Sequence, residues 1–148
     1  MILLDTNLLI YANDQAAPEY TIARPWFEHQ LNGPARVGVP WPSLLGFMRL
    51  ATNPAVLRVP ITMATAWGYV RDWLDRPNVW IPLPGDRHAE TLSALLRLPV
   101  MTSRLVPDAH LAALAIEHGL TLCSTDGDFA KFPGLRWQNP LAADNQKS

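Results

Sequence analysis

The apolar residues of the chain fall into short runs that alternate with longer helical repeats. The short runs predict strands at 2–4, 36–39, 79–81, 120–123 and, at one edge, 135–137. Apolar residues at helical spacing predict helices at 8–12, 19–31, 41–51, 63–75, 86–98 and 107–118. This alternation favours an α/β fold, a three-layer sandwich in which a mostly parallel sheet carries helices on both faces. The pattern leaves the order of the strands open.

Local signals sharpen three of the helix predictions. Pro25 lies inside the second helix and predicts a kink or a broken start. Asp86 is placed to cap the fifth helix. Residues 129–132 predict a single helical turn, and 99–104 a connector. Each of these features depends on residues close together in the sequence, so each can be compared directly with the structure.

The stretch 106–129 combines a helix, a turn, a buried strand and an acidic loop. Pro107 suits the first helical position, and Gly119 suits the left-handed residue just past a helix end. Asp108 then falls in the first turn of the helix, while Asp126 and Asp128 lie just beyond the strand. In open α/β sheets the carboxyl ends of the strands are where sites form.

Asp5 occupies an equivalent place at the end of the first strand. Carboxylates that converge without basic partners repel one another, so they take up protons or bind a cation. Mg²⁺ and Mn²⁺ prefer oxygen ligands and keep coordination positions open to water. Either ion can activate a water molecule and stabilise charge on a phosphoryl oxygen. The simpler alternative is that individual aspartates, Asp5 and Asp126 above all, only cap helices.

Composition narrows the class of protein further. The 148 residues fit one domain, predicted at 1–141, followed by a polar, frayed tail at 142–148. The single cysteine, Cys123, excludes an internal disulfide and a cysteine metal cluster. We expect neither a signal peptide nor a membrane span, and hence a cytoplasmic protein. The net charge of −1 gives no overall basic field, although ten of the twelve basic residues are arginine.

Four segments follow one another along the chain: Leu4–Asn7, Phe47–Pro54, Pro107–Ala115 and Ser124–Phe129. In this order they resemble the successive motifs of PIN domains, and more narrowly those of VapC toxins from mycobacterial VapBC toxin–antitoxin pairs. The resemblance implies a Mg²⁺- or Mn²⁺-dependent endoribonuclease that cuts structured RNA, commonly tRNA, by metal-activated water. It also implies a homodimer and a cognate VapB antitoxin that holds the enzyme inactive.

Carried over residue by residue, the resemblance assigns Asp5 and Asp108 as principal metal ligands and catalytic residues. Asp126 matches the acid that completes the site, directly or through water. Asp128 is the weaker match and is assigned a supporting role. Thr6, Asn7 and Arg49 are the other supporting residues.

One departure from the family pattern concerns position 46. Many PIN domains carry a glutamate three residues before the arginine that corresponds to Arg49, where this chain has Gly46. A metal held by fewer carboxylates and more waters is compatible with Mg²⁺, and one ion is then favoured over two. The alternative is a catalytically weakened module that acts by binding RNA or protein.

The same region lacks acidic residues altogether. Between 29 and 71 the charged residues are Arg36, Arg49, Arg58 and Arg71. They predict either a positive surface for a phosphodiester substrate or scattered solvated side chains, and Arg49 is the best candidate for a phosphate contact or a brace on the site.

Other residues favour structural roles. The six tryptophans are expected to pack in the core or at protein interfaces, and His110 is expected to face away from Asp108. Ser43 and Ser124 have no paired base, which argues against a serine hydrolase. A receiver-like phospho-acceptor would need a lysine near the site, and the chain has only Lys131 and Lys147.

Overall fold

The computed structural model describes residues 1–143 and contains one sheet of five parallel strands. The strands are β1 (Ile2–Leu4), β2 (Val37–Gly38), β3 (Val79–Trp80), β4 (Thr121–Cys123) and β5 (Trp137–Gln138). Their spatial order is β3-β2-β1-β4-β5, and every neighbouring pair is parallel. The predicted α/β class is confirmed, and the strand order left open by the sequence is now fixed.

Within residues 1–143, six α-helices connect or flank these strands. They are α1 (Thr6–Asn13), α2 (Tyr20–Asn32), α3 (Trp41–Ala51), α4 (Met63–Leu74), α5 (His88–Leu96) and α6 (Val106–His118). Short 3₁₀ segments at Ser103–Leu105 and Gly127–Lys131 complete the chain up to β5. Among residues 1–143, no helix combines the length and apolar character needed to cross a membrane.

Two of the predicted ends were wrong in detail, and one prediction inside a helix was half wrong. Arg87, not Asp86, occupies the residue before α5, and no side chain caps that helix. Helix α2 continues through Pro25, so the predicted broken start is wrong and the kink stays a prediction. The last strand begins at Trp137 because the Leu135 amide bonds to the Phe132 carbonyl in a turn. The predicted tail at 142–148 lies mostly outside the described residues, and the domain boundary at 141 stays a prediction.

The sheet separates two apolar clusters, which makes the three layers. Consecutive strand residues point to opposite faces, so Leu4 packs with helices α1 to α4 while Leu3 packs with α5 and α6. Cys123 and Leu122 divide in the same way on β4. Trp73 is 5% exposed and packs edge-on against Phe27 and Phe47, as expected of a core tryptophan.

Parallel strands place all their carboxyl ends at one edge of the sheet. Asp5 follows β1 directly and Ser124 follows β4, the strand paired with it. Helix α6 returns across the sheet into β4, so its first turn lies at the edge where β4 ends. The chain connections therefore bring the ends of β1 and β4 and the start of α6 together.

Helices α1 and α3 approach closely beside this edge, at Gly46. A Cβ atom at position 46 would lie 2.5 Å from Thr6 Oγ1 and 3.1 Å from Thr6 Cγ2. Thr6 cannot move aside freely, because its branched side chain is stiff and its hydroxyl donates a hydrogen bond to the Ser43 carbonyl (3.3 Å). The structure thus explains why a side chain as large as glutamate is absent from position 46.

This contact predicts strong coupling between positions 6 and 46. Gly46→Ala should destabilise the protein by about 1–3 kcal/mol through overpacking, despite a gain in helix propensity of about 1 kcal/mol. In a Thr6→Ala background the nearest remaining atom is Cβ at 3.4 Å, so the same change should be neutral or stabilising. Urea unfolding of the four proteins measures the coupling, and additive effects would contradict the steric explanation.

Candidate metal centre

Asp5 is the residue that connects the first strand to the site. It occupies the position before α1, where its Oδ1 accepts a hydrogen bond from the Thr6 amide (2.8 Å). Its Oδ2 accepts a hydrogen bond from the Ser124 hydroxyl (2.7 Å). The capping role considered from the sequence is therefore present, and it leaves each oxygen with a further lone pair directed elsewhere.

Ser124 is the hub of the polar network, although sequence reasoning set it aside. It is fully buried, donates to Asp5 and accepts hydrogen bonds from Asn7 Nδ2 (3.0 Å) and the Asp126 amide (3.0 Å). Asn7 also accepts a bond of 3.4 Å from the amide of Thr125. One hydroxyl thus fixes Asp5 relative to the loop that follows β4. The signal in the sequence was a serine two residues before an aspartate at a strand end, the spacing of a local serine turn.

Asp108, Asp126 and Asp128 form the acidic group at this edge. Each offers a carboxylate oxygen, and the three atoms lie within 4.8 Å of one another. Asp126 also accepts a hydrogen bond from the Asp128 amide (2.9 Å) and so caps the 3₁₀ segment. Asp5 is not one of these three, but Ser124 connects it to the backbone of Asp126.

Burial and mutual repulsion raise the pKa values of Asp5 and Asp108. Burial, followed by repulsion from Asp126, Asp5 and Asp128, raises the pKa of Asp108 to about 6. Burial also raises the pKa of Asp5, and the hydrogen bonds from Ser124 and Thr6 oppose that rise. The negative charge gathered here is therefore undercompensated at neutral pH.

The donor set fits a divalent cation with oxygen ligands. The acidic group of Asp108, Asp126 and Asp128 contains no cysteine or histidine within residues 1–143, and Asp5 lies near enough to Asp108 to raise its pKa. Mg²⁺ and Mn²⁺ accept such a set together with several waters. A bound cation would relieve the repulsion that raises the pKa of Asp108.

Asp128 differs from the other aspartates because its partners are cations. Arg104 Nη1 lies 2.7 Å from its Oδ2, and Lys131 Nζ lies 2.8 Å from its Oδ1. These contacts hold the pKa of Asp128 below its usual range. Lys131 stands three residues after Asp128, which is a spacing that suggests a pair. Arg104 is 24 residues away, and nothing in the sequence pointed to it.

The remaining predicted residues lie around the network. Arg49 is exposed in the last turn of α3 and forms no ion pair with Asp5, Asp108, Asp126 or Asp128, so its phosphate contact and its bracing role both stay predictions. Arg36 stacks on Trp80, 4.3 Å from the ring, and precedes β2 at the opposite edge of the sheet. The arginines of 29–71 therefore do not form one surface at the site.

His110 turns toward helix α5, as expected. Its Nδ1 lies 3.1 Å from His88 Nε2, and His88 Nδ1 lies 3.2 Å from Glu117 Oε2. These contacts join α5 to α6 on the side away from Asp108. His110 is a packing residue in this structure, in agreement with its spacing on the helix.

The role of Ser124 in metal binding can be tested separately from its contribution to stability. Ser124→Ala should lower the affinity for Mn²⁺ by about tenfold or more, because the carboxylate of Asp5 loses its orienting donor. Ser43→Ala is the matched control, since that buried hydroxyl donates to the Leu4 carbonyl (2.7 Å) and to no carboxylate. Titration calorimetry with Mn²⁺ compares the two variants. An equal loss of affinity in both would contradict a specific role for Ser124.

The raised pKa of Asp108 predicts a pH-dependent stability of the metal-free protein. The folded state holds this proton up to about pH 6, whereas the unfolded state loses it near 3.8, so stability from this group falls as pH rises through that window. In EDTA, Asp108→Asn should raise Tm by about 2–4 °C at pH 7.5 and leave it unchanged at pH 4. Asp86→Asn, at an exposed position, is the control in thermal unfolding. A lower Tm for Asp108→Asn at pH 7.5 would contradict the electrostatic account.

Comparison with protein families agrees with this arrangement. The PIN domain family matches residues 2–135. The chain is 41% identical over 141 residues to ribonuclease VapC33 of Mycobacterium tuberculosis, covering 95% of this chain and 99% of that protein. It is 39% identical over 142 residues to ribonuclease VapC37 of the same organism, covering 96% and 99%.

Solved structures show the same fold at lower identity. Mycobacterium tuberculosis VapC20, described as a sarcin–ricin loop cleaving toxin, superposes with a TM-score of 0.65 at 20% identity, over 92% of this chain and 99% of that one. VapBC2 from Rickettsia felis, bound to a DNA fragment of its promoter, gives 0.63 at 16% identity, over 94% and 98%. By its sequence, its fold and the order of its acidic motifs, the chain belongs to the PIN-domain family and, within it, to the VapC ribonucleases.

Proposed function

We propose that this protein is the toxin of a VapBC pair and a divalent-metal-dependent endoribonuclease. The observation that carries the proposal is the group of Asp108, Asp126 and Asp128 at one edge of the sheet, with Asp5 from a further segment close enough to raise the pKa of Asp108. Membership of the VapC group supports the ribonuclease activity. Alone, an acidic cluster would suit many metal enzymes, so the two lines of support are needed together.

The residues proposed to hold the cation are Asp5, Asp108 and Asp126. When bound, a divalent cation lowers the pKa of a water molecule and offsets negative charge on a phosphoryl oxygen. Ser124 and Asn7 keep Asp5 and the loop after β4 in place, so that the ligands need no rearrangement. Hydrolysis by water is expected to leave a 5′-phosphate and a 3′-hydroxyl. A 2′,3′-cyclic phosphate would instead indicate attack by the ribose hydroxyl.

The proposed substrate is structured RNA, with tRNA as the first candidate. The relatives are named ribonucleases, and the VapC20 structure is described as that of a toxin that cleaves the sarcin–ricin loop. Both descriptions concern folded RNA or RNA in general, and Asp108 and Asp126 are only partly buried, so a loop of such a molecule can reach them. Which RNA this chain cuts is part of the proposal, and sequencing of new 5′ ends identifies it.

The proposed partners are a cognate VapB antitoxin and a second copy of the chain. Several structural neighbours are toxin–antitoxin complexes. Large apolar side chains are exposed on the outer helices, among them Leu45 on α3 at 56%, Met63 at the start of α4 at 57% and Trp67 on α4 at 42%. Exposed apolar groups of this size on neighbouring helices are typical of surfaces that other proteins cover. Cytoplasmic location stays a prediction.

The absence of an acidic residue on α3 supports a second candidate function. Helix α3 contains no acidic residue, and Thr6 fills the space beside Gly46, so the site receives no carboxylate from this helix. A site with fewer acids binds its cation more weakly, and a protein of this kind could act by binding RNA or its antitoxin without cleavage. Metal binding and cleavage, measured on the same preparation, separate the two functions.

The central test compares wild type with Asp5→Ala and Asp108→Ala. Each change removes a proposed ligand and should reduce RNA cleavage at least a hundredfold while Mn²⁺ binding falls in calorimetry. Asp86→Ala, at an exposed position, should leave both unchanged. Sequencing of 5′ ends after expression of each protein gives the cleavage sites in cells. Wild-type cleavage by either variant would refute the assigned roles, and failure of the wild type to bind metal or cut RNA would favour the binding module.

A further inference from the structure

Two cations share a single carboxylate at the rim of the metal centre. Arg104 and Lys131 lie 2.7 and 2.8 Å from the two oxygens of Asp128. The Asp128 side chain is 20% exposed, whereas those of Arg104 and Lys131 are 66% and 44% exposed. The carboxylate is therefore partly covered, and the two positive groups face solvent.

We infer that Arg104 and Lys131, held side by side by Asp128, bind the phosphodiester backbone of the substrate next to the scissile linkage, and that Asp128 positions these cations and is not a metal ligand. This inference rests on the proposed ribonuclease function. It adds two substrate-binding residues that no motif identified.

The charge balance of the site calls for such cations. Asp5, Asp108, Asp126 and Asp128 would repel a polyanion. Arg104 is close enough to these groups for Asp128, Asp126 and Asp108 all to raise its pKa. Four carboxylates and two cations leave two uncompensated negative charges, which one divalent ion balances. Without Arg104 and Lys131, the same ion would leave a site that is still negative toward RNA.

The free donors of the two cations suit a phosphate. The guanidinium carries five N–H donors in a planar fork, and one terminal nitrogen of Arg104 contacts Asp128. The ammonium of Lys131 carries three donors and uses one contact to the same carboxylate. The remaining donors can take non-bridging phosphate oxygens, and a guanidinium does so bidentately.

The partners of Asp128 argue against a ligand role. Asp5 is held by neutral donors, a hydroxyl and an amide, so a cation approaching it meets no positive charge. A divalent ion on Asp128 would lie beside both a guanidinium and an ammonium, which repel it. Oxygen atoms of Asp128 lie within reach of the acidic group. By proximity alone Asp128 would count as a metal ligand. The positive charges of Arg104 and Lys131 beside it argue against that role.

The binding test uses fluorescently labelled bulk bacterial tRNA as the probe, at several salt concentrations and without added metal. Arg104→Ala and Lys131→Ala should each weaken binding by about tenfold. Each should also lower the slope of log affinity against log salt by about 0.7–0.9, the value for one lost phosphate contact. Arg104→Lys should retain the slope. Arg87→Ala is the matched control, because Arg87 is an exposed arginine paired with one carboxylate, Glu90, beside His88 at the α5–α6 contact.

The catalytic test separates substrate binding from metal binding. At saturating Mn²⁺, Arg104→Ala, Lys131→Ala and Asp128→Asn should raise KM several-fold with a smaller change in kcat. Asp128→Asn should keep Mn²⁺ affinity in calorimetry within about twofold, since a ligand would lose at least tenfold. The loss of an exposed ion pair should leave the unfolding curve nearly unchanged.

Each outcome decides one question. Loss of Mn²⁺ binding in Asp128→Asn, comparable with that in Asp108→Asn, would make Asp128 a ligand and overturn the inference. The inference would also be overturned if the wild type cleaves RNA but Arg104→Ala and Lys131→Ala bind tRNA with the same affinity and salt slope as Arg87→Ala. Absence of both Mn²⁺ binding and cleavage in the wild type would instead refute the proposed function, and the tRNA salt slope would still report whether these two cations contact phosphate.

Discussion

The parallel pairing of β1 with β4 is the constraint on which the site depends. Leu4 pairs with Cys123, and the Asp5 amide donates to the Cys123 carbonyl (3.1 Å), so Asp5 must lie beside Ser124. A slip of one residue in this register would turn the side chains of β1 to the opposite face of the sheet. Leu3 and Leu4 belong to different apolar clusters, so such a slip would place each in the wrong layer. The packing of the two faces therefore fixes the position of Asp5, a proposed metal ligand.

The site combines two ways of holding an aspartate. Neutral donors orient Asp5 and leave its charge available, while cations hold Asp128 and neutralise part of its charge. Between them, Asp108 lies in the first turn of α6, where burial and repulsion raise its pKa. This repulsion costs stability in the metal-free protein and favours a bound cation. The repulsion that destabilises the metal-free protein is thus the one that the proposed cation would relieve.

The sequence predicted the elements and the acidic residues because their signals are local. Pro107 and Gly119 marked the ends of α6, and Gly119 does adopt the left-handed conformation, with φ 68°. Aspartates directly after strands were expected to meet because parallel strands end at one edge. Thr6 was assigned a supporting role, and its contact with Gly46 now accounts for the missing glutamate.

What sequence reasoning missed depends on contacts between distant residues. The partners that Ser124 acquires, Asp5 and Asn7, are more than 110 positions away. Arg104 meets Asp128 only because α6 and β4 fold the intervening chain back on itself. The arginines between 29 and 71 formed a group by their position in the chain, yet Arg36 lies at the far edge of the sheet. Strand order had the same difficulty, since no local signal states which strands are neighbours.

The tight fit of Gly46 against Thr6 has an evolutionary consequence. An acid at position 46 is expected to be destabilising in any lineage that retains Thr6, because even a Cβ atom there would lie 2.5 Å from Thr6 Oγ1. A smaller residue at position 6 removes that obstacle, so the order of the two substitutions decides how much stability is lost on the way. Positions 6 and 46 are therefore expected to change together among descendants of this protein.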